Sequence, residues 1–238
     1  MIAFSELEKY DPSEMHKIYD QWPEIAKKAY HYDYEEIFFE GINHIIFVGM
    51  GGSGSIGDLF SSILSKTKIH VSLVKGYLLP KTIDKNTLII ITSVSGNSVE
   101  PLVVLDSAMK LDCSLIAFSS GGKIEKYCKE NKLTYRKIKS FHSPRASLIQ
   151  YVFSMLKILH SILPISEIEI TESINELNII NKKISSHNLS DSNPAIEIAE
   201  WISGIPLIYY PYGLESSAIR FKSSLQENSK SHAMIEDV

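Results

Sequence analysis

The sequence predicts an α/β protein: a doubly wound parallel sheet followed by a second, incomplete α/β domain. Short apolar runs suited to strands alternate with amphipathic stretches of helical length, and glycine- or serine-rich turns follow two of the runs. The chain has 238 residues, of which 44% are hydrophobic and 22% charged. That length and composition are ordinary for a globular protein with a substantial core.

The first half of the chain alternates strands with helices. Apolar side chains recur at helical spacing over residues 13–40, which predicts two amphipathic helices broken near Pro23. Residues 44–48 (HIIFV) form a short apolar run typical of a strand buried on both faces, and a helix is predicted over 55–65. The same pattern predicts strands at 70–75, 87–92, 114–118 and 133–138, with helices at 99–110 and 124–131.

The pattern changes after residue 146. Helices are predicted over 147–163, 167–186 and 194–203, followed by a strand at 206–210 and a helix at 214–228. We therefore expect one α/β domain over residues 1–146, and the first part of a second α/β domain over residues 147–238.

Composition excludes several classes of function. A net charge of −4 argues against a strongly basic nucleic-acid binder. Two cysteines are too few for a disulfide framework or a structural zinc site, and no set of His, Asp and Glu shows metal-ligand spacing. No apolar run approaches the roughly 20 residues that span a bilayer, and the N-terminus lacks the pattern of a secretory signal. We expect a cytoplasmic protein with no metal and with no membrane or nucleic-acid partner.

A glycine-rich loop follows the first strand. Residues 49–54 (GMGGSG) match the G-x-G-x-x-G pattern between a strand and a helix, where backbone N–H groups approach an anion. A dinucleotide site would need a carboxylate at the end of the second strand, where the sequence has Lys75. A P-loop would need a Gly-Lys-Ser/Thr sequence, which does not follow. A structural turn, a nucleotide site and a site for another phosphate ester remain open.

A second polar loop, residues 93–100 (SVSGNSVE), follows the strand at 87–92. Ser93, Ser95 and Ser98 offer hydroxyl groups, although Ser98 also fits the N-cap of the next helix and such residues are common before helices. Two such loops at the carboxyl ends of adjacent parallel strands converge on the crevice where open α/β sheets bind ligands. A dianionic monophosphate held by hydroxyls and backbone amides fits this pair of loops best.

The two loops carry a family resemblance. VGMGGSGSIGD and TSVSGNSVEPL resemble the two signature loops of the SIS sugar isomerase fold. Together with SPRASL (143–148) and LQENSK (225–230), they make the whole chain resemble the bifunctional phosphoglucose/phosphomannose isomerases of archaea and some bacteria. The resemblance implies SIS-like domains in a homodimer. It also implies interconversion of glucose 6-phosphate and mannose 6-phosphate with fructose 6-phosphate, without metal or cofactor.

The resemblance also assigns site residues. A substrate-facing arginine corresponds to Arg145, whose cation suits the negative charge of a cis-enediol intermediate. A single carboxylate base corresponds to Glu227, within the Gln-Glu-Asn stretch 226–228. The substrate- and phosphate-binding positions fall on Gly52, Ser53, Ser93, Ser95 and Ser98, and many family members have threonine at the last of these.

Two functional side chains of the family, a histidine and a lysine, have no counterpart in this sequence. His232 comes too soon after Glu227 to match the ring-opening histidine, and no C-terminal lysine can be placed before Val238. We therefore expect a C-terminally short form of the isomerase. One alternative is a non-catalytic SIS module that binds a sugar phosphate, although the acidic N-terminal 40 residues do not suit an attached DNA-binding domain. A nucleotide-linked oxidoreductase is disfavoured by the missing ribose carboxylate.

Overall fold

Five parallel strands form the main sheet of the computed structural model, which describes residues 4–238. Their order across the sheet is β2-β1-β3-β4-β5, the order of flavodoxin-like folds. The predicted doubly wound parallel sheet is confirmed. The strands are β1 (His44–Val48), β2 (His70–Val74), β3 (Thr87–Ser93), β4 (Ser114–Ser119) and β5 (Thr134–Lys137).

Burial explains why the central strands β1 and β3 contain continuous apolar runs. Every residue of β1 and β3 is buried, because helices cover both faces of the sheet. Successive side chains alternate between two cores: Ile45 and Phe47 belong to one, and Ile46 and Val48 to the other. The edge strands β2 and β5 are only partly buried and carry more polar residues.

The two cores have different helical partners. One face of the sheet packs on α5 (Val99–Ala108) and α6 (Gly122–Glu130). The other face packs on α3 (Trp22–Tyr30), α4 (Gly52–Leu64) and α7 (Leu148–Ile158), together with part of α8 (Glu167–Ile184). The helices at 99–110 and 124–131 were thus predicted to within about two residues at each end.

The prediction for residues 13–40 is partly wrong. The segment begins with α2 (Met15–Asp20) and α3, preceded by α1 (Phe4–Tyr10), but residues 33–40 are neither helix nor strand. Pro23 lies in the first turn of α3, where its missing N–H group costs no helical hydrogen bond. Tyr34, Ile37 and Phe39 pack against the core from an irregular segment, so tertiary packing accounts for their apolar character.

Helix α7 contributes to the first core although it follows residue 147. Eight of its residues are buried, and it packs on α3 and α4. After Ile158 a short 3₁₀ turn, His160–Ile162, replaces the helix predicted to continue to residue 163. The division of the chain between residues 146 and 147 stays a prediction.

A second, smaller α/β unit follows α8. It contains α9 (Pro194–Trp201), β6 (Leu207–Tyr210) and α10 (Glu215–Ser224), and α10 packs on α4 of the first unit. Its second strand, β7 (Met234–Asp237), pairs in parallel with β6 and was not predicted. The sequence MIED has two carboxylates and no apolar run, so nothing in its pattern indicates a strand.

Three observations bear on classes of function. Cys113 and Cys128 are free thiols, and burial raises the pKa of Cys128 to about 11. No helix within residues 4–238 combines the length and apolar character needed to cross a membrane. The same residues contain no cluster of three or more His, Cys, Asp or Glu side chains arranged to hold a metal ion.

Candidate active site

The glycine-rich loop forms the first turn of α4. The helix begins at Gly52, three residues before the predicted start, and Gly51 precedes it with a positive φ of 52°. The helix N-terminus therefore lies at the carboxyl end of β1, where its N–H groups and dipole favour an anion. A Cβ atom on Gly52 would lie 3.6 Å from the backbone of Pro144 and 3.7 Å from that of Arg145. The loop thus approaches the segment that carries the predicted arginine.

Hydroxyl groups connect the two polar loops. The N–H group of Val94 donates to Oγ of Ser53 over 3.2 Å, which joins the loop after β3 to the first turn of α4. Oγ of Ser93 donates to Oγ of Ser98 over 3.2 Å. Ser98 lies at the N-cap position of α5, as predicted, but its side chain makes no capping hydrogen bond. Three of the four predicted serines therefore lie in one hydrogen-bonded region.

Ser95 and Gly96 form the tip of the second loop. Ser95 is exposed, and its Oγ accepts a hydrogen bond from the N–H group of Asn97 over 3.2 Å. Gly96 has a φ of 68°, and a Cβ atom there would lie 1.9 Å from the carbonyl oxygen of Gly121. Glycine is required at position 96 for both reasons, so the loop is packed tightly against the turn that follows β4.

Arg145 and Glu227 form an ion pair between the two units. Nη1 of Arg145 lies 2.9 Å from Oε2 of Glu227, and the side chains are 28% and 38% exposed. The two residues are 82 positions apart in sequence. The structure therefore brings together the two residues that the family resemblance assigned to the chemistry, although their catalytic roles stay predictions.

Two side chains that the sequence analysis missed hold the Arg145 segment by its backbone. Nη2 of Arg220 in α10 donates to the carbonyl oxygen of Arg145 over 2.8 Å. Nε1 of Trp22 in α3 donates to the carbonyl oxygen of Ala146 over 3.0 Å. Both side chains act on main-chain carbonyl groups, and contacts of this kind leave no pattern of residue types in the sequence that could have indicated them.

Glu227 lies in a π-helical turn, Leu225–Ser229, that continues directly from α10. Lys230 ends this turn with a φ of 58°, and its Nζ donates to the carbonyl oxygen of Glu227 over 2.6 Å. π-Helical turns are uncommon and occur frequently at functional sites, where they displace a side chain from the regular helical path.

A cavity of about 410 Å³ borders the ion pair. One wall comes from Arg145 and from the turn that contains Glu227, and another comes from the N-terminal segment around α2. Nε of Arg145 and Nε2 of His16 are buried and have no hydrogen-bond partner. The full set of lining residues is Tyr10, Asp11, Pro12, Ser13, Met15, His16, Tyr19, His142, Arg145, Glu227, Asn228 and Lys230.

Charged groups of both signs meet at this cavity. Nδ1 of His16 lies 2.8 Å from Oδ2 of Asp11. Burial acts to raise the pKa of Asp11, but hydrogen bonds from the backbone and side chain of His16 outweigh it, so the pKa lies below its ordinary value. Among the described residues lining the cavity there is none of the four predicted serines, and the exposed His232 is absent too. The loops that carry these serines adjoin the cavity through Gly52, which lies close to the backbone of Arg145.

Comparison with known proteins identifies relatives over most of the chain. Residues 191–238 match the model of the bacterial phospho-glucose isomerase C-terminal SIS domain. A bifunctional phosphoglucose/phosphomannose isomerase from Caldicellulosiruptor bescii is 30% identical over 221 residues, which is 89% of this chain and 65% of that protein. The enzyme of the same name from Aquifex aeolicus is 30% identical over 216 residues, covering 90% of this chain and 61% of that protein. The chain thus spans less than two thirds of the length of these relatives.

A relative with a different activity is also similar. The D-glucosamine-6-phosphate 4-epimerase of Sulfolobus acidocaldarius is 25% identical over 218 residues, covering 91% of this chain and 66% of that protein. Among solved structures, the C-terminal domain of glucosamine-fructose-6-phosphate aminotransferase from Francisella tularensis superimposes with a TM-score of 0.67 at 18% identity. That match covers 94% of this chain and 69% of that one, and it supports the fold alone. By sequence, this chain resembles bifunctional phosphoglucose/phosphomannose isomerases over about 90% of its own length.

Proposed function

We propose that this chain carries an aldose–ketose isomerase activity that interconverts glucose 6-phosphate and mannose 6-phosphate with fructose 6-phosphate. The observation that carries the proposal is the 2.9 Å pairing of Arg145 with Glu227 beside a cavity, next to two anion-favouring loops. A cation and a carboxylate held together across two structural units are the groups that a proton transfer through an enediolate needs.

In the proposed reaction the phosphate of the sugar is held by the two polar loops. The N-terminus of α4 and the hydroxyls of Ser53, Ser93, Ser95 and Ser98 supply donors with little positive charge. The neighbouring Gly52 lies against the Arg145 backbone, so an anchored phosphate would direct the sugar carbons towards Arg145 and Glu227. Binding energy at the phosphate would thereby orient the reacting carbons.

The carboxylate of Glu227 would take the proton from C2 of the open-chain aldose. The electrons of the C2–H bond form the C1–C2 double bond, and the carbonyl electrons move to O1, giving a cis-enediolate. Arg145 stabilises the negative charge on the oxygens, and its pairing with Glu227 holds that carboxylate in place. Transfer of the O2 proton to O1 and return of the proton from Glu227 to C1 then give the ketose, with the carbonyl at C2 and the Glu227 carboxylate regenerated. Removal of the C2 proton from either epimer gives the same enediolate, which supports activity on both aldoses.

The test is a coupled assay with fructose 6-phosphate as substrate and detection of both aldose phosphates. Replacement Glu227→Gln should lower turnover by about 10²- to 10⁴-fold while sugar phosphate binding persists. Glu172→Gln, an exposed carboxylate on α8, is the matched control and should retain full turnover. Binding without any turnover by the unaltered chain would favour the alternative function, a non-catalytic sugar phosphate sensor. Epimerisation of glucosamine 6-phosphate at C4, with no isomerase activity, would also refute the proposal.

We also propose that the chain acts as a homodimer in the cytoplasm, as its family resemblance implies. Helix α7 is buried within its own chain, whereas Trp201 and Ile198 of α9 are 80% and 47% exposed. An exposed apolar helix face of this kind supports an interface there. Trp201→Glu should convert a dimer to a monomer in light-scattering measurements, whereas an unchanged mass would exclude this helix from the interface.

A further inference from the structure

We propose that Arg220 is a positioning residue that holds Arg145 in register with Glu227 for the reaction. The inference rests on the proposed isomerase function and concerns a residue outside the pair formed by Arg145 and Glu227. Arg220 donates from Nη2 to the carbonyl oxygen of Arg145 over 2.8 Å, and it does so from the helix that leads to Glu227. It therefore contacts the backbone of Arg145, and it is not among the residues that line the cavity of about 410 Å³ beside the ion pair.

One helical segment contacts both the guanidinium and the main-chain carbonyl group of Arg145. Helix α10 and the π-helical turn form a continuous segment from Glu215 to Ser229. Within it, Glu227 holds the guanidinium of Arg145 and Arg220 holds its carbonyl group. A displacement of this helix relative to the first unit would move the carboxylate, the guanidinium and the backbone of the arginine together.

The first unit also contacts the backbone of this segment. Trp22 donates to the carbonyl oxygen of Ala146, and the backbone of Arg145 lies close to Gly52. Both contacts are made to the backbone of the segment, and neither involves the guanidinium of Arg145. The contact from Arg220 is therefore the one that relates the Arg145 backbone to the helix that carries the base.

A second observation is the cavity around Arg220. A largely apolar cavity of about 670 Å³ lies between the two units, and Trp22, Leu59, Leu148, Phe221 and Arg220 are among its lining residues. The packing between α10 and the first unit is incomplete at this point. Close-packed side chains resist relative movement of the elements that they join. Where such packing is incomplete, the hydrogen bond from Arg220 is a contact that restrains α10 against the first unit.

The experiment compares Arg220→Met, Arg220→Lys and the control Arg136→Gln. Arg136 also donates to a main-chain carbonyl, that of Glu35, and its side chain is 20% exposed, but it lies on β5 outside the cavity lining. We expect Arg220→Met to lower kcat about 10- to 100-fold with little change in KM, because a displacement of about 1 Å suffices for such a loss. Lysine retains a donor and should recover part of kcat, and Arg136→Gln should match the unaltered chain.

A double-mutant cycle separates positioning from a general loss of stability. If Arg220 acts through Arg145, adding Arg220→Met to Arg145→Lys should cause little further loss of kcat. Independent, multiplicative losses would overturn the proposal. So would an unchanged kcat in Arg220→Met when the unaltered chain is active.

Binding provides a readout that does not depend on turnover. A five-carbon aldonic acid 5-phosphate, whose carboxylate mimics the enediolate, should bind Arg220→Met at least about tenfold more weakly, whereas inorganic phosphate should bind equally well. If the unaltered chain shows no isomerase activity, the proposed function fails, and this comparison still decides the role of Arg220. Equal aldonate affinity in Arg220→Met and the unaltered chain would refute the positioning role.

Discussion

Replacing Gly96 with alanine should destabilise the protein and disrupt the second polar loop. Gly96 has a φ of 68°, and a Cβ atom there would lie 1.9 Å from the carbonyl oxygen of Gly121 and 3.1 Å from Oγ of Ser119. A backbone oxygen cannot rotate away as the end of a side chain can. The loop or the turn after β4 must therefore move.

The expected free energy has two parts. A left-handed conformation costs an alanine roughly 1–2 kcal/mol, which is offset by about 0.4–1 kcal/mol because alanine restricts the unfolded chain. The steric overlap adds about 1–3 kcal/mol, the usual range for overpacking. Gly96→Ala should thus lower the free energy of unfolding by about 2–4 kcal/mol.

Gly204 isolates the steric part. Its φ is 72°, and a Cβ atom there would meet nothing within 4 Å. Its alanine variant should cost about 1 kcal/mol, since only the backbone conformation is penalised. Urea denaturation with fitted m-values measures both variants, and inorganic phosphate binding reports on the loops. Equal stability of Gly96→Ala and Gly204→Ala would refute the proposed tight packing of the loop.

Three further predictions concern single contacts. Lys75→Met should lower the free energy of unfolding by about 1–3 kcal/mol, because it removes the ion-pair partner of the Asp58 carboxylate, whose side chain is only 6% exposed. An unchanged midpoint of urea denaturation would contradict this. Ser166→Ala removes a capping box and should cost about 1 kcal/mol at neutral pH. Hydrogen bonds from the backbone and side chain of Ser166 hold the pKa of Glu169 below its ordinary value of 4.5. The stability that these bonds contribute is therefore present above pH 4.5 and is lost as the pH falls through the lower pKa of the folded state. The difference in the free energy of unfolding between Ser166→Ala and the unaltered chain should thus shrink in acid. Tyr151→Phe should cost about 0.5–1.5 kcal/mol, since its buried hydroxyl donates to two main-chain carbonyls over 3.3 and 3.4 Å, and a stability gain would argue against those bonds.

The sheet could be predicted because its signals are local. The apolar run of β1 was located to the residue, and the end of β3 to within one residue, since strands buried on both faces need continuous apolar sequence. β7 escaped prediction because it is a partly exposed strand with two carboxylates. Residues 33–40 were misread because apolar side chains on an irregular segment can repeat at helical spacing by coincidence.

The candidate site could be predicted only in part, for a related reason. The sequence shows the residue types of the two polar loops and of the segments around Arg145 and Glu227. It does not show that Arg145 and Glu227, which are 82 positions apart, come into contact, because that contact depends on the fold. Arg220 and Trp22 act through main-chain carbonyl groups, and such contacts leave no residue pattern that a single sequence can show. The same holds for the approach of Gly52 to the Arg145 backbone.

The most direct test of the central claim is solvent isotope incorporation. Fructose 6-phosphate is incubated with the protein in D₂O, and deuterium at C2 of the aldose phosphates is measured by NMR. If Glu227 transfers the proton through an enediolate, the unaltered chain should introduce deuterium at C2 of both glucose 6-phosphate and mannose 6-phosphate, and Glu227→Gln should introduce essentially none. Incorporation by Glu227→Gln at the rate of the unaltered chain would contradict the assignment of the base.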